Sequence, residues 1–277
     1  MITFPNAKIN LGLNIVEKRK DGFHNIETIF YPVGWKDILE IVPAEKKLNR
    51  KGDVQFHSSG IKITGGMQKN SCVKAYQLLK EKYGLPPVEM HLHKNIPAGA
   101  GLGGGSADAA FALLALNKIF SLQIQEKEME KLATSIGADC SFFLRNKPVF
   151  AKGIGDEFEE IKLDLSDYSL VIIKPDVHVN TTLAYKNVIP KQPEISVKEM
   201  INLPVSEWKN NLINDFEVSV FKKYPAIAHI KEQLYDLGAV YASMSGSGSA
   251  VFGLFEDEVD LAGKFGGYHV WMSDNNN

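Results

Sequence analysis

From Lys8 onward the chain alternates strictly: Ile9, Leu11, Leu13 and Ile15 are apolar, and Lys8, Asn10, Gly12 and Asn14 stand between them. A period of two predicts a strand with its aliphatics on one face and Lys8 and Asn10 together on the other. Short apolar runs predict further strands over 26–33, 38–42, 54–57 and 88–93. Helical spacing takes over at 70–83, 106–120 and 125–136, and Gly137 stands where a left-handed glycine would close the last of these. Strands return at 148–152, 158–163 and 169–174. Helices dominate from Thr181 to Leu237, one with Pro225 as its first residue and Gly238 just past its end. A helix is expected over 257–265, between strands at 250–255 and 268–272, and Asn275–Asn277 reads as a frayed end. Strands and helices mix without steady βαβ alternation, which predicts an α+β chain. A boundary near Phe150–Gly155 divides it into expected domains 1–152 and 153–277.

Composition narrows the function classes. With 44% hydrophobic and 23% charged residues over 277 positions, the chain is an ordinary globular one, long enough for two domains. Its 31 basic and 33 acidic residues leave a net charge of −2, so neither nucleic acid nor an anionic membrane is a natural partner. Two cysteines, Cys72 and Cys140, make neither a disulfide framework nor a tetrahedral zinc site. The first residues lack a signal-peptide pattern, and the longest apolar run, Ala109–Leu116, falls short of the ~20 residues that span a bilayer. A cytoplasmic location is expected.

The most informative segment is Pro97, Ala98, Gly99, Ala100, Gly101, Leu102, Gly103, Gly104, Gly105 and Ser106, which runs into the apolar helix beginning near Ala109. Five glycines in seven residues let backbone approach a ligand closely. The following helix aims free N–H groups and the positive end of its dipole at the loop, which together make a phosphate cradle. The bland alternative is a glycine-rich connection with Ser106 or Asp108 capping the helix. No lysine follows the glycines, so this is not a P-loop; Gly99, Gly101 and Gly104 satisfy G-x-G-x-x-G, a weak signal when taken alone. A protein-kinase reading lacks its H-R-D and D-F-G motifs.

Other candidates are individually weaker. Asp139, in Gly137-Ala-Asp-Cys-Ser-Phe-Phe143, reads as a turn or cap residue or as a catalytic carboxylate. Lys8 is a surface lysine or, with Asn10 beside it, part of a site. Phe23 and His24 can stack on and hydrogen-bond a base, or simply pack. His91 and His93 share a strand face but have no third metal ligand nearby. Residues 243–250 form a second small-residue loop, suited to close approach. Cys140 lacks a histidine partner in sequence and is not expected to be a nucleophile.

Read in order, these segments resemble the galactokinase, homoserine kinase, mevalonate kinase and phosphomevalonate kinase superfamily. The matching stretches are Pro5–Leu11, Asp21–His24 with Glu27-Thr28, Pro97–Ala110, Gly137–Asp139 with Phe142-Phe143, Gly153–Gly155, Val179–Thr181 with Tyr185, Asn214-Asp215 and Met244–Gly248. The resemblance implies a two-domain fold with ATP and substrate in an interdomain cleft, and direct in-line phosphoryl transfer. It implies that Asp139 is the base, Lys8 its charged partner, and residues 97–106 the wrap around the ATP phosphates, with Mg²⁺ on the nucleotide. Asn10, Phe23, His24, Thr181 and Tyr185 would line a pocket for a cytidine diphosphate-linked sugar alcohol. Monomer and homodimer both stay open. The runner-up readings are another small-alcohol kinase of homoserine or mevalonate type and a non-catalytic nucleotide-binding module. Phe23 in place of Tyr, Cys140-Ser141 in place of Val-Pro, and Lys74 in place of Arg depart from the usual pattern.

Overall fold

A computed structural model describes residues 1–44, 53–63 and 66–273; the frayed end expected at Asn275–Asn277 lies outside these. In chain order the first elements are strands β1 (Ile2–Thr3), β2 (Asn6–Lys18), β3 (His24–Lys36), β4 (Ile38–Pro43) and β5 (Val54–Gly60), then helix α1 (Ser71–Tyr83) and strand β6 (Val88–Lys94). Helices α2 (Gly104–Ile119), α3 (Glu126–Ile136) and α4 (Cys140–Arg145) follow, and then strands β7 (Val149–Lys152), β8 (Glu157–Glu160) and β9 (Ser169–Lys174). Helices α5 (Thr181–Lys186), α6 (Val197–Met200), α7 (Trp208–Asn211), α8 (Phe216–Lys223) and α9 (Pro225–Asp236) lead to strands β10 (Tyr241–Met244), β11 (Val251–Phe255) and β12 (His269–Met272). Among the described residues no helix is long and apolar enough to cross a membrane.

The chain sorts into two compact units, neither a single stretch. Unit one is 1–7, 34–98 and 103–146; unit two is 8–33, 99–102 and 147–277. The turn at Gly153–Gly155 joins β7 to β8, both in unit two.

Unit one is built on a sheet of order β1-β4-β6-β5, with β5 and β6 parallel and the other pairs antiparallel. On β6, Val88, Met90, Leu92 and Lys94 are buried, while His91 and His93 face outward. The inward residues join Val73, Tyr76 and Leu79 of α1 and Leu113 and Leu116 of α2 in one core. Small side chains at Ala109, Ala112 and Ala115 keep α2 buried nearly all round, as expected of a helix apolar on every face. His91 stacks on His57 at 4.8 Å, and among the described residues no group of three His, Cys, Asp or Glu side chains is placed to hold a metal.

Unit two carries two four-stranded sheets, β2-β3-β7-β8 and β10-β11-β9-β12. The second is antiparallel throughout, and α8 and α9 supply Phe216, Val220, Ile227, Ile230 and Leu234 to the core it shares. Strand β2 departs from a half-solvated strand, because both of its faces are buried from Asn6 to Ile15. Its polar residues Lys8, Asn10 and Asn14 are therefore at most 6% exposed, and each must find partners inside the protein.

Two local expectations fail. Gly137 is extended, with φ −178° and ψ 148°, rather than left-handed, because the chain turns at once into α4, a short helix that the residue pattern does not predict. Residues 257–265 are irregular, with one turn at 262–264, and not a helix. There the Asp260 carboxylate takes the Ala262 N–H at 2.8 Å and Gly263 sits at φ +71°; both divert the backbone from helical hydrogen bonding.

Candidate active site

In unit two the site is assembled around the start of β2. Lys8 Nζ donates to Asn10 Oδ1 and lies 4.5 Å from the centre of the Phe30 ring, so an amide oxygen and an aromatic face orient the ammonium. Asn10 Nδ2 donates to Thr28 Oγ1 at 3.0 Å, and Thr28 Oγ1 donates to the Gly12 carbonyl at 2.5 Å. This chain of donors fixes which way the amide faces, with oxygen toward the lysine. Thr28 is fully buried and no sequence signal singled it out beyond its place in a motif.

The glycine strap is anchored by alternate residues. Pro97, Ala100, Leu102 and Gly104 are buried, while Ala98, Gly99 and Gly105 are exposed and Gly101, Gly103 and Ser106 are half-buried. Residues 99–102 are held within unit two: the Lys8 N–H donates to the Leu102 carbonyl at 2.9 Å, and the Ala250 N–H to the Ala100 carbonyl at 3.0 Å. Ser245 Oγ donates to the Gly101 carbonyl at 2.8 Å and accepts from the Asn10 N–H at 3.2 Å. The second small-residue loop thus closes on the first. At Gly101, with φ +78°, an added Cβ would lie 1.9 Å from the Ser245 carbonyl oxygen. Asn214, another residue without an assigned role, ties this second loop down by donating Nδ2 to the carbonyls of Met244 and Gly246 at 2.7 and 2.8 Å.

Still in unit two, the His24 and Tyr185 rings stack with centroids 4.9 Å apart, and Phe216 meets Tyr185 edge-on at 4.8 Å. Burial, with Lys18 adding to it, lowers the His24 pKa and favours the neutral ring, which has one donor and one acceptor. Phe23 beside it is 59% exposed. Thr181 opens α5, and its hydroxyl lies 3.0 Å from Ser247 Oγ on the second glycine loop.

Unit one holds the remaining candidates. Helix α2 starts from Gly103 in the left-handed region, and no side chain caps it. The capping alternative therefore does not hold: Asp108 instead accepts from Lys94 Nζ at 2.8 Å, and Lys94 also pairs with Asp37. Lys94 lies beneath the loop, 3.2 Å from where a Cβ on Gly104 would sit. Burial, reinforced by Asp37, pushes the Asp108 carboxyl up to about 7 against the pull of Lys94. Burial pushes the Cys140 thiol up to about 11 against the pull of Ser106, so a thiolate nucleophile is disfavoured. Asp139 precedes α4 and makes no side-chain cap bond to it, which removes the cap reading. The turn that carries Asp139 is closed by the Cys140 N–H to the Gly137 carbonyl at 3.0 Å and by Ser141 Oγ to the Ala138 carbonyl at 3.1 Å. The Cys-Ser departure thus supplies its own brace.

Comparison with known proteins fits these features. Residues 70–147 match the model of the GHMP kinases N terminal domain, and residues 203–264 that of the GHMP kinases C terminal domain. The 4-diphosphocytidyl-2-C-methyl-D-erythritol kinase of Bacteroides fragilis is 55% identical over 258 residues, 93% of each chain. That of Bacteroides thetaiotaomicron is 56% identical over 263 residues, 94% of each. The chain belongs to this kinase family. It is an enzyme of the GHMP kinase fold, and kinases of the family use ATP. A crystal structure of a 4-(cytidine 5'-diphospho)-2C-methyl-D-erythritol kinase superposes with a TM-score of 0.77 at 32% identity, covering 92% of this chain and 90% of that one. The Methanococcus jannaschii mevalonate kinase shares the fold, with a TM-score of 0.68 at 14% identity over 98% and 97% of the two chains.

Proposed function

We propose that this kinase transfers the γ-phosphoryl group of ATP to the 2-hydroxyl of 4-diphosphocytidyl-2-C-methyl-D-erythritol, a step in making isoprenoid precursors, in the cytoplasm. The observation that carries the reading is the name shared by relatives at 55 and 56% identity over nearly the whole of both chains. The ring pair His24–Tyr185 supports it, because a stacked aromatic with an adjacent donor and acceptor suits a nucleobase. Homoserine and mevalonate carry no base for such a pair to hold.

ATP would supply the phosphoryl group, and Mg²⁺ accompanying it would add positive charge beside the phosphates. The uncapped start of α2 and the glycine backbone offer N–H groups and a positive dipole end to those phosphates. Asp139 takes the proton from the substrate hydroxyl as the O–P bond forms. Lys8, oriented by Asn10 and Phe30, offsets the negative charge gathering at the transferring group. Asn10, Phe23, His24, Thr181 and Tyr185 hold the cytidine diphosphate portion.

The test is coupled ADP release with ATP and Mg²⁺, comparing diphosphocytidyl-methylerythritol with homoserine, mevalonate and galactose. Turnover on the cytidine compound alone is expected. Preferred turnover of another alcohol would overturn the substrate assignment, and no turnover with ATP still bound would favour a binding module.

A further inference from the structure

Unit one buries three charges beside the start of α2. Asp37, Lys94 and Asp108 are 0, 4 and 3% exposed. Lys94 Nζ donates to a carboxylate oxygen of each aspartate, at 2.8 Å to Asp108 Oδ2. Two carboxylates against one ammonium leave one negative charge in excess, which is costly away from water. The two aspartates are not equally served. Asp37 Oδ1 also accepts the Asn95 and Ile96 N–H groups at 2.7 and 2.8 Å, whereas Asp108 Oδ1 is buried with no hydrogen-bond partner. Asp108 is therefore the carboxylate that gains most from a proton, and Oδ1 can take one without breaking the bond to Lys94. Burial, reinforced by Asp37, holds this carboxyl up at about 7.

Position links this cluster to the glycine loop. Gly104 and Asp108 are four residues apart on α2 and share a face, and helical side chains lean toward the helix start. Lys94 Nζ reaches to 3.2 Å from the place of a Gly104 Cβ. The uncapped start of α2 thus adjoins a buried excess of negative charge. Asp37 comes from the link between β3 and β4, and Lys94 from the end of β6. The other elements packed on α2 bring neutral groups. From α1, Cys72 Sγ donates to the Asp108 carbonyl at 3.6 Å, and burial holds its thiol well above the usual range. Cys140 of α4 is protonated for the same reason, and α3 and β4 bring apolar residues such as Met129 and Leu39.

We propose that binding ATP at the start of α2 makes this cluster take up a proton from solution, on Asp108, so that ATP affinity weakens as pH rises. The inference rests on the phosphate placement given above. Without nucleotide, the positive end of the α2 dipole favours the Asp108 carboxylate. Phosphate oxygens drawn to the same N–H groups are like charges, and they tip Asp108 toward its neutral form. The proton comes from the buffer, and apart from the new O–H no covalent bond is made or broken. The cluster passes from one excess negative charge to none. Carboxyls closed to solvent titrate in this way, with shifted proton affinity.

The experiment is calorimetric titration of the full chain with MgATP, without the alcohol substrate, at pH 7.5 in two buffers of different ionisation enthalpy. A like charge that raises the proton affinity of Asp108 about tenfold gives uptake of about half a proton per ATP, and an affinity about threefold weaker at pH 8 than at pH 7. Asp108→Asn should abolish both effects. Asp37→Asn leaves Asp108 paired one-to-one with Lys94, removes the excess charge and should do the same, so the test survives if one variant fails to fold. A parent that releases ADP but takes up no proton on binding MgATP, undiminished uptake in either folded variant, or affinity that rises with pH would each overturn the proposal and leave the kinase reading in place. A parent that binds no ATP overturns both.

Discussion

Replacing Gly101 by alanine tests the glycine strap most directly. Its φ of +78° costs a residue with a side chain about 1–2 kcal/mol in backbone strain. The larger effect is steric. The new Cβ would lie 1.9 Å from the Ser245 carbonyl oxygen and 2.8 Å from its carbon, both backbone atoms that cannot rotate away. A carbon and a carbonyl oxygen rest at roughly 3.3 Å, so strap and second loop must separate by about 1.4 Å. That movement breaks the Ser245 Oγ bond to the Gly101 carbonyl and displaces the N–H groups proposed to hold the phosphates. A misplacement of about 1 Å is worth roughly 100-fold in rate, or about 2.7 kcal/mol. Steady-state ADP release should show kcat/KM for ATP lowered about 100-fold. Gly84→Ala is the control, since Gly84 is also left-handed, at φ +67°, with nothing within 4 Å of its added Cβ. It should lose similar strain energy from stability and keep full activity. If Gly101→Ala turns over within threefold of the parent, the strap does not position the phosphates.

Asp139→Asn should leave KM within about threefold and lower kcat by roughly 10²–10⁴, the usual range for removing a general base; near-normal kcat would take Asp139 out of the mechanism. His24→Ala loses the stack on Tyr185, about 0.5–1.5 kcal/mol, and should raise KM for the cytidine substrate roughly three- to tenfold with kcat little changed; an unchanged KM puts the base elsewhere. Thr28→Val strands the buried Asn10 amide and should cost about 1–3 kcal/mol in urea unfolding, and Thr28→Ser should recover most of it. Asp108 has its folded pKa raised toward about 7, above its unfolded value, so the native state binds the extra proton and stability falls as pH climbs from about 4 to 7. Asp108→Asn should flatten that part of the Tm–pH profile; parallel profiles for parent and variant would refute the assignment.

The pattern of residues determined the strands, the long helices and the glycine-rich loop that opens α2, because these depend on short-range periodicity and on glycine's own backbone freedom. Pro225 and Gly238 marked the ends of α9 for the same local reason. Periodicity did not reveal that both faces of β2 are covered, since alternation reports which side chains differ and not what packs on the polar side. Lys8 and Asn10 share a strand face by spacing, whereas their links to Thr28 and Ser245, 18 and 235 residues away from Asn10, exist only once the sheet and the second loop have closed. Asp108 shows the same limit: near the expected helix start it reads as a cap, and only the burial of Lys94 at the end of β6 claims it as a counter-ion. Secondary structure and loop chemistry are written in neighbouring residues. Which polar side chain answers which is decided by burial, because a charge removed from water must pair with whatever the tertiary fold brings within reach.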